Sequence, residues 1–468
     1  MTALALVVYA LALAVAATFV WRRPVVALYV FVVGLALHNA VMDALYGAGI
    51  HGHALTVIQA WKDVLLLIAL ARVAVDALRA RRLPVRPAFP DAFALAFAVL
   101  VVVYALIPQS VLDGAATHKA IALALRHDLT GVAAYFLGRS VLLPELDRRR
   151  VAWTILGVAA AVSAWGLIDV YAISLNWWRH NGTVGYFHHL GFHYKGLSGL
   201  PENFVYNTGN EQDLLRRLVS TFLSPLGTAY LCVVALLLAP RVRLALPVAA
   251  LAAAGLLWTH TRAAIIALAA ALVLFAAGTR RAWPIAAAVA TLAVGFAFVK
   301  AFPHIGPKTH FTRSELAYQR AHAHKHKGAS GSATSTNEPS TESHLSSLGE
   351  GFRTVVHHPQ GYGLGNAGEV ASREGIPLKA GESNYTELGV ETGLLGALLF
   401  LAWNLSLVWK LVPRRPAAAA ALGAILIVAL QTDAYGIPWL AYCLWWLAGS
   451  GVSGLAAGAS RARQSSPQ

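Results

Sequence analysis

The chain is short of charge, of thiols and above all of acid. Only 13% of its 468 residues are Asp, Glu, Lys or Arg, against about 25% in a soluble globular protein. Length alone would suggest about three soluble domains. With 57% hydrophobic residues and a mean hydropathy of +0.58, the chain reads instead as one polytopic membrane domain, 1–468. Its two cysteines, Cys232 and Cys443, fall inside apolar runs. They read as helix-packing residues, which excludes a disulfide framework and a metal-thiolate site. Acids number 22 against 37 Lys and Arg, for a net charge of +15. That excess is not a phosphate-tracking surface, because the basic residues sit in short clusters at the ends of apolar segments. No nucleic-acid partner is expected. The N-terminus has no basic n-region, so the first apolar run is expected to be a retained helix rather than a cleavable signal peptide.

Apolar spans are expected at about 3–21, 24–41, 55–78, 92–108, 118–143, 151–172, 218–239, 244–260, 262–278, 282–301, 386–409, 417–432 and 439–456. About 20 residues cross the hydrocarbon core. The fold class is therefore all-α: a polytopic integral membrane bundle of about 12–13 helices, with a long periplasmic loop carrying short helices. Arg22–Arg23, Arg79–Arg82, Arg148–Arg150, Arg241 with Arg243, Arg280–Arg281, Arg414–Arg415 and Arg461 with Arg463 fall on one side, while loops 42–54 and 433–438 carry no Lys or Arg. The positive-inside rule makes the first side cytoplasmic. The location expected is the bacterial inner membrane, multi-pass, with the lipid bilayer itself as a partner.

Two long segments, about 173–217 and 302–385, land on the outer side. The second contains a tract, about 322–346, rich in Ser, Thr, Gly and His, that cannot bury enough apolar surface to fold. Nothing in its histidine spacing fixes a metal geometry, so it reads as solvated linker. Before it, FTRSELAYQRAHAH has the spacing of a short amphipathic helix on the membrane surface.

Three places carry polar chemistry. Arg216 and Arg217 stand in a row at the outer mouth of a span, where topology disfavours arginine; a pair there suits phosphate better than it suits an interfacial anchor. Thr259, His260, Thr261 and Arg262 form a tight outer hairpin that holds Arg262 near membrane depth, which marks it as a functional candidate over a structural ion pair. The stretch from His357 to Phe400, HHPQGYGLGN followed by ESNYTELGVETGLLGALLF, sets a glycine-rich turn, two histidines and three acids against the start of an apolar run. Arg126, His127, Asp128 and Arg139 lie on the fifth span. Arg126 and Asp128, two apart, cannot face each other, so structural ion pairs with other helices are expected. Trp177 and Trp178 read as an interfacial belt.

In this order, RRLVSTFLSPLGTAYL, THTRAAIIALAAAL, a long outer loop, HHPQGYGLGN and ESNYTELGVETGLLGALLF resemble the O-antigen ligase and O-antigen polymerase family of bacterial membrane glycosyltransferases. The resemblance covers 216–410. It implies an enzyme that moves a glycan from an undecaprenyl-diphosphate carrier to an acceptor sugar outside the inner membrane. It further implies that Arg217 or its neighbour Arg216, with Arg262, holds the diphosphate. The family places His-Asn before its final conserved helix; here the pair is Ser383-Asn384, preceded by Glu382. A serine cannot replace imidazole as a base but Glu382 can, which turns the expectation toward the polymerase branch. The alternative is a ligase joining the glycan to lipid A–core.

The residues bear this out chemically. Arginine forks stabilise a leaving diphosphate, and a carboxylate or imidazole at the membrane mouth takes the acceptor proton. The candidate bases are Glu382, His357 and His358. Ser383, Asn384, Tyr385 and His260 are candidates for acceptor binding or support. The outer loops carry no Asp-x-Asp, so no metal and no cofactor is expected. A polysaccharide or lipid-carrier transporter is the non-enzyme alternative; the lack of an internal repeat argues against it.

Overall fold

The structure is a computed structural model. It describes residues 2–207, 214–240, 242–322, 339–377, 379 and 383–453. Helices follow one another as α1 (Thr2–Arg22), α2 (Val25–Gly47), α3 (Gly52–Gln59), α4 (Trp61–Ala80), α5 (Phe89–Leu106), α6 (His118–Ser140), α7 (Glu145–Ala172), α8 (Leu175–His180) and α9 (Thr183–His189). Then come α10 (Pro225–Leu238), α11 (Ala245–Trp258), α12 (Arg262–Thr279), α13 (Trp283–Ile305), α14 (Arg313–His322), α15 (Pro339–His357), α16 (Gly368–Arg373), α17 (Asn384–Leu411) and α18 (Pro416–Val428). A last helix, 438–453, carries a π-type turn at Leu440–Leu444.

Among the described residues, nine helices are long and apolar enough to cross a membrane, with α3 and α4 counted as one, and three shorter apolar helices accompany them. The protein is an all-α polytopic membrane protein. Leucines, valines and phenylalanines stay exposed along α1, α5 and α13, because lipid rather than water is the solvent there.

Loops at one end of the bundle touch one another. Arg179 pairs with Glu315, Gln109 accepts from Asn366, and Asn384 bonds Ala429. The other end collects arginines: Arg148 and Arg415 both reach Glu145. We term these the loop face and the arginine face. At the loop face a three-stranded antiparallel sheet forms in the order β1 (Val205–Asn207), β2 (Leu214–Arg216), β3 (Lys308–Thr309).

Two expectations need correction. The seventh span does not begin at 218. Residues 218–224 enter the bundle as irregular chain, and α10 starts at Pro225 with Ser224 as its N-cap. Proline fits the first helical position and biases the residue before it away from helix. The irregular chain survives because its polar groups are satisfied: Ser220 donates to the Val162 carbonyl at 2.6 Å, Thr221 to that of Ala36 at 2.6 Å, and Asn39 to that of Phe222 at 2.8 Å. The tract expected to stay unfolded to 346 gives way to helix at Pro339, whose ring again suits a helix start; residues 323–338 lie outside the described residues. Helix α14 forms as expected. Its Glu315 is buried against Arg179, with side-chain oxygens 2.9 and 2.6 Å from the guanidinium.

Candidate functional site

The first polar centre lies where β2 meets the α11–α12 hairpin. Leu218 donates its backbone N–H to the Trp258 carbonyl at 3.0 Å, which brings the arginine pair against the hairpin. The two neighbours then diverge. Arg216, 2% exposed, turns inward to Asp169, both of whose oxygens lie 3.2 Å from the guanidinium, and to the Ile173 carbonyl at 2.7 Å. Trp178 donates to the same Asp169 at 2.7 Å, so this tryptophan is a buried hydrogen-bonding partner and not part of an interfacial belt. Arg217 turns toward the hairpin, donating to the Thr259 carbonyl at 2.9 Å and the Thr261 hydroxyl at 3.2 Å. Burial and the nearby Arg262 charge lower its pKa to about 10, so it remains a cation at neutral pH beside another cation. His260 adopts φ +50° and packs against both Tyr206 and Phe302, with ring centroids 4.3 and 4.5 Å away. Burial first, then the Arg217 and Arg262 charges, push its pKa down to about 3. The imidazole is neutral, and its buried Nε2 has no hydrogen-bond partner among the described residues.

The glycine-rich turn docks into a broken helix. Within α17, Gly393 takes φ 72°, ψ 176°, which interrupts the helical hydrogen bonding. Tyr362 donates its N–H to the freed Val390 carbonyl at 2.6 Å, and Leu394 donates to the Pro359 carbonyl at 2.8 Å. Gly361, Gly363 and Gly365 all have φ between 75° and 91°, a region that L side chains avoid, so this docking requires glycine. Glu391 accepts from the Gly365 N–H at 2.8 Å, and Asn366 ties the turn to Gln109 at 2.7 Å and to Ala115 N at 2.7 Å.

The second polar centre sits beside this turn. Asn384, fully buried, donates from its side chain to Asp433 and accepts from Tyr435 N at 2.9 Å. Asp433 meets His127 Nε2 at 2.9 Å, and His127 Nδ1 meets Asp128 at 2.8 Å. Glu387, 2% exposed, and Glu391, 1% exposed, lie on the same face of α17, four residues apart.

The other expected site residues fall as follows. Ser383 bonds the Ala429 carbonyl at 3.3 Å and Tyr385 that of Leu426 at 2.8 Å, so both fasten the start of α17. His357 is exposed and folds back onto the Arg353 carbonyl at 2.8 Å. His358 stacks on Tyr362 at 3.9 Å and approaches the Leu112 carbonyl at 3.3 Å. Glu382 lies outside the described residues. Arg126 reaches Asp63 at 3.6 Å and Arg139 reaches Asp91 at 2.8 Å, the interhelical ion pairs anticipated. Sequence reasoning passed over Asp169 and Asp433 and counted Glu387 and Glu391 among three acids without giving either a role. For Asp169, Glu387 and Glu391 the available signal was an ionisable residue within an apolar helix, which is costly unless it has a role. Two open cavities of about 440 and 350 Å³ lie at the arginine face, lined in part by Arg23 and Arg150 and by Arg243 and Trp283, and hold none of these residues.

Fold and site together define a multi-pass membrane protein with two polar centres set into one face. Residues 247–401, about a third of the chain, match the family model described as O-antigen ligase. The match lies inside the 216–410 region of the resemblance and bears it out. No curated protein matches the chain.

Proposed function

We propose that the protein is a polysaccharide polymerase of O-antigen or exopolysaccharide type. It takes a glycan from an undecaprenyl-diphosphate-linked oligosaccharide and adds it to an acceptor glycan at the periplasmic face of the inner membrane. The observation that carries this reading is the docking of Arg217 on the hairpin that opens into Arg262: it bonds the Thr259 carbonyl at 2.9 Å and the Thr261 hydroxyl at 3.2 Å, and burial first, then the Arg262 charge, lowers its pKa. Like charges brought together at low dielectric repel strongly, and an anion between them offsets that cost. A diphosphate offers paired oxygens to two planar forks, and its developing charge is what glycosyl transfer must stabilise. In this reading the arginines, not a metal ion, carry the leaving group. Arg216 takes no part, since Asp169 occupies it.

Glu382 serves as the base, standing two positions before the anchored Asn384. His357 and His358 are its rivals, although His357 is turned onto its own helix. The ligase reading keeps the same donor site and changes only the acceptor, to lipid A–core. Purified protein in nanodiscs, given the lipid-linked donor, should produce a ladder of lengthening carrier-linked glycan. Transfer only onto added lipid A–core would establish the ligase instead, and no transfer to either would remove the reading. Glu382→Gln should abolish turnover, while His357→Ala and His358→Ala retain it; near-normal turnover in Glu382→Gln would exclude it as the base.

A further inference from the structure

The second polar centre holds more acid than its surroundings balance. Asp128, Glu387, Glu391 and Asp433 converge there. Among the described residues, the ion pairs found at these carboxylates both go to one group, His127. Asp128 is 0% and Glu387 2% exposed, and Asp128 Oδ2 and Glu387 Oε2 have no hydrogen-bond partner among the described residues. A buried carboxylate oxygen left unpaired is costly.

The arrangement has the parts of a metal site. His127, Glu387 and Asp433 each present one donor atom, all within 4.8 Å of one another. Ligands about 2.1 Å from a shared ion stand roughly 3–4 Å apart, so a small side-chain rotation closes the set. The outer shell is already built. His127 directs its other ring nitrogen at Asp128 at 2.8 Å, the carboxylate–histidine pairing that orients metal-bound imidazole. Asp433 has one oxygen held by the Asn384 side chain and by Gly436 N at 2.8 Å, which leaves Oδ2 for the site. Gly368 makes room for the Glu387 carboxylate: a Cβ there would lie 1.8 Å from its oxygen.

We propose that His127, Glu387 and Asp433 bind one divalent cation of the Mn²⁺ or Zn²⁺ class. One imidazole with carboxylates suits these ions better than Ca²⁺ or Mg²⁺, which prefer all-oxygen sets. The ion enters between His127 Nε2 and Asp433 Oδ2, takes up the unpaired Glu387 oxygen, and fastens α6, the start of α17 and the 430–437 loop together. The site stands apart from the diphosphate reading, since cation binding and glycan transfer can fail independently.

The test uses the full-length protein in detergent, freed of metal by chelator and dialysis, with Mn²⁺ as the probe because the histidine-rich tract competes for Zn²⁺. Electron paramagnetic resonance should show one bound Mn²⁺ per chain. Saturating Mn²⁺ should raise the Tm by about 5 °C. Both effects should disappear in Glu387→Gln, which keeps the side chain's size, and in Asp433→Asn. Should either variant fail to fold, the wild-type protein still decides: less than about 0.2 equivalent of Mn²⁺ with no Tm shift overturns the proposal. Equal binding by wild type and a folded Glu387→Gln overturns it too.

Discussion

The two polar centres at the loop face are built in opposite ways. The cationic one gathers Arg217, His260 and Arg262 from the end of β2 and a hairpin, which hydrogen-bond to each other directly through residues 217–218. It brings two cations, Arg217 and Arg262, near each other. The acidic one draws His127, Glu387 and Asp433 from segments as much as 306 positions apart, and carries surplus negative charge. Within the cationic centre the same contrast recurs between neighbours. Arg216 is neutralised internally by Asp169, whereas Arg217 is held by uncharged oxygens beside a second cation. A charge paired with an opposite charge inside the protein stabilises the fold; a cation held by neutral oxygens keeps its charge for a ligand.

The largest effect should come from Arg216. Replacing it with Leu strands Asp169 in the interior, which should cost about 3–5 kcal/mol and leave little folded protein after extraction. The double change Arg216→Leu with Asp169→Leu should recover much of the loss, read as monodisperse protein on size exclusion. Arg217→Lys and Arg262→Lys should behave differently. Both should purify normally yet transfer glycan about 10²-fold more slowly, some 2.7 kcal/mol of lost stabilisation, because a point charge does not replace a planar fork. If Arg217→Lys fails to fold while Arg216→Leu keeps its stability, the roles assigned to the neighbours are reversed. Gly393→Ala forces a side chain into a positive-φ break with the Pro359 carbonyl only 2.6 Å from the new Cβ. Thermal unfolding should show a loss of roughly 1–3 kcal/mol.

A pH series sharpens the cationic centre further. In the unfolded chain His260 takes a proton near pH ~6.5, but in the fold only at about 3. Between those values the unfolded state binds the extra proton. Stability is therefore fully present above pH ~6.5 and falls on acidification, by about 2 kcal/mol at pH 5. His260→Phe, still able to stack on Tyr206 and Phe302, should flatten this part of the pH profile of Tm. The smallest effect belongs to residues 323–338. Their deletion should leave product yield nearly unchanged, since closure entropy changes only slowly with the length of a connection; complete loss of product at normal expression would show that they hold part of the site.

How much of this was legible follows from the same contrast. The apolar spans announced themselves through length, and Arg217 and Arg262 through violating the positive-inside rule. Those are local signals. Ser224-Pro225 also marked the start of α10, but an unbroken hydrophobic run outweighed it. Glu387 and Glu391 stood in plain view within an apolar helix, yet their meaning depends on His127 and Asp433, which only the packing of α6 against the last helix and its preceding loop supplies. Asp169 stayed hidden for the same reason: nothing near it in sequence says that Arg216 will turn inward and its neighbour will not.

The break at Gly393 also fixes a depth. Past it, α17 keeps about 18 residues, Leu394–Leu411, which at about 1.5 Å per residue reach some 27 Å. That nearly equals the hydrocarbon thickness of about 30 Å. The segment from Asn384 to Thr392 is therefore not needed to cross the acyl chains, and Glu387 and Glu391 sit on a part of α17 released from that duty.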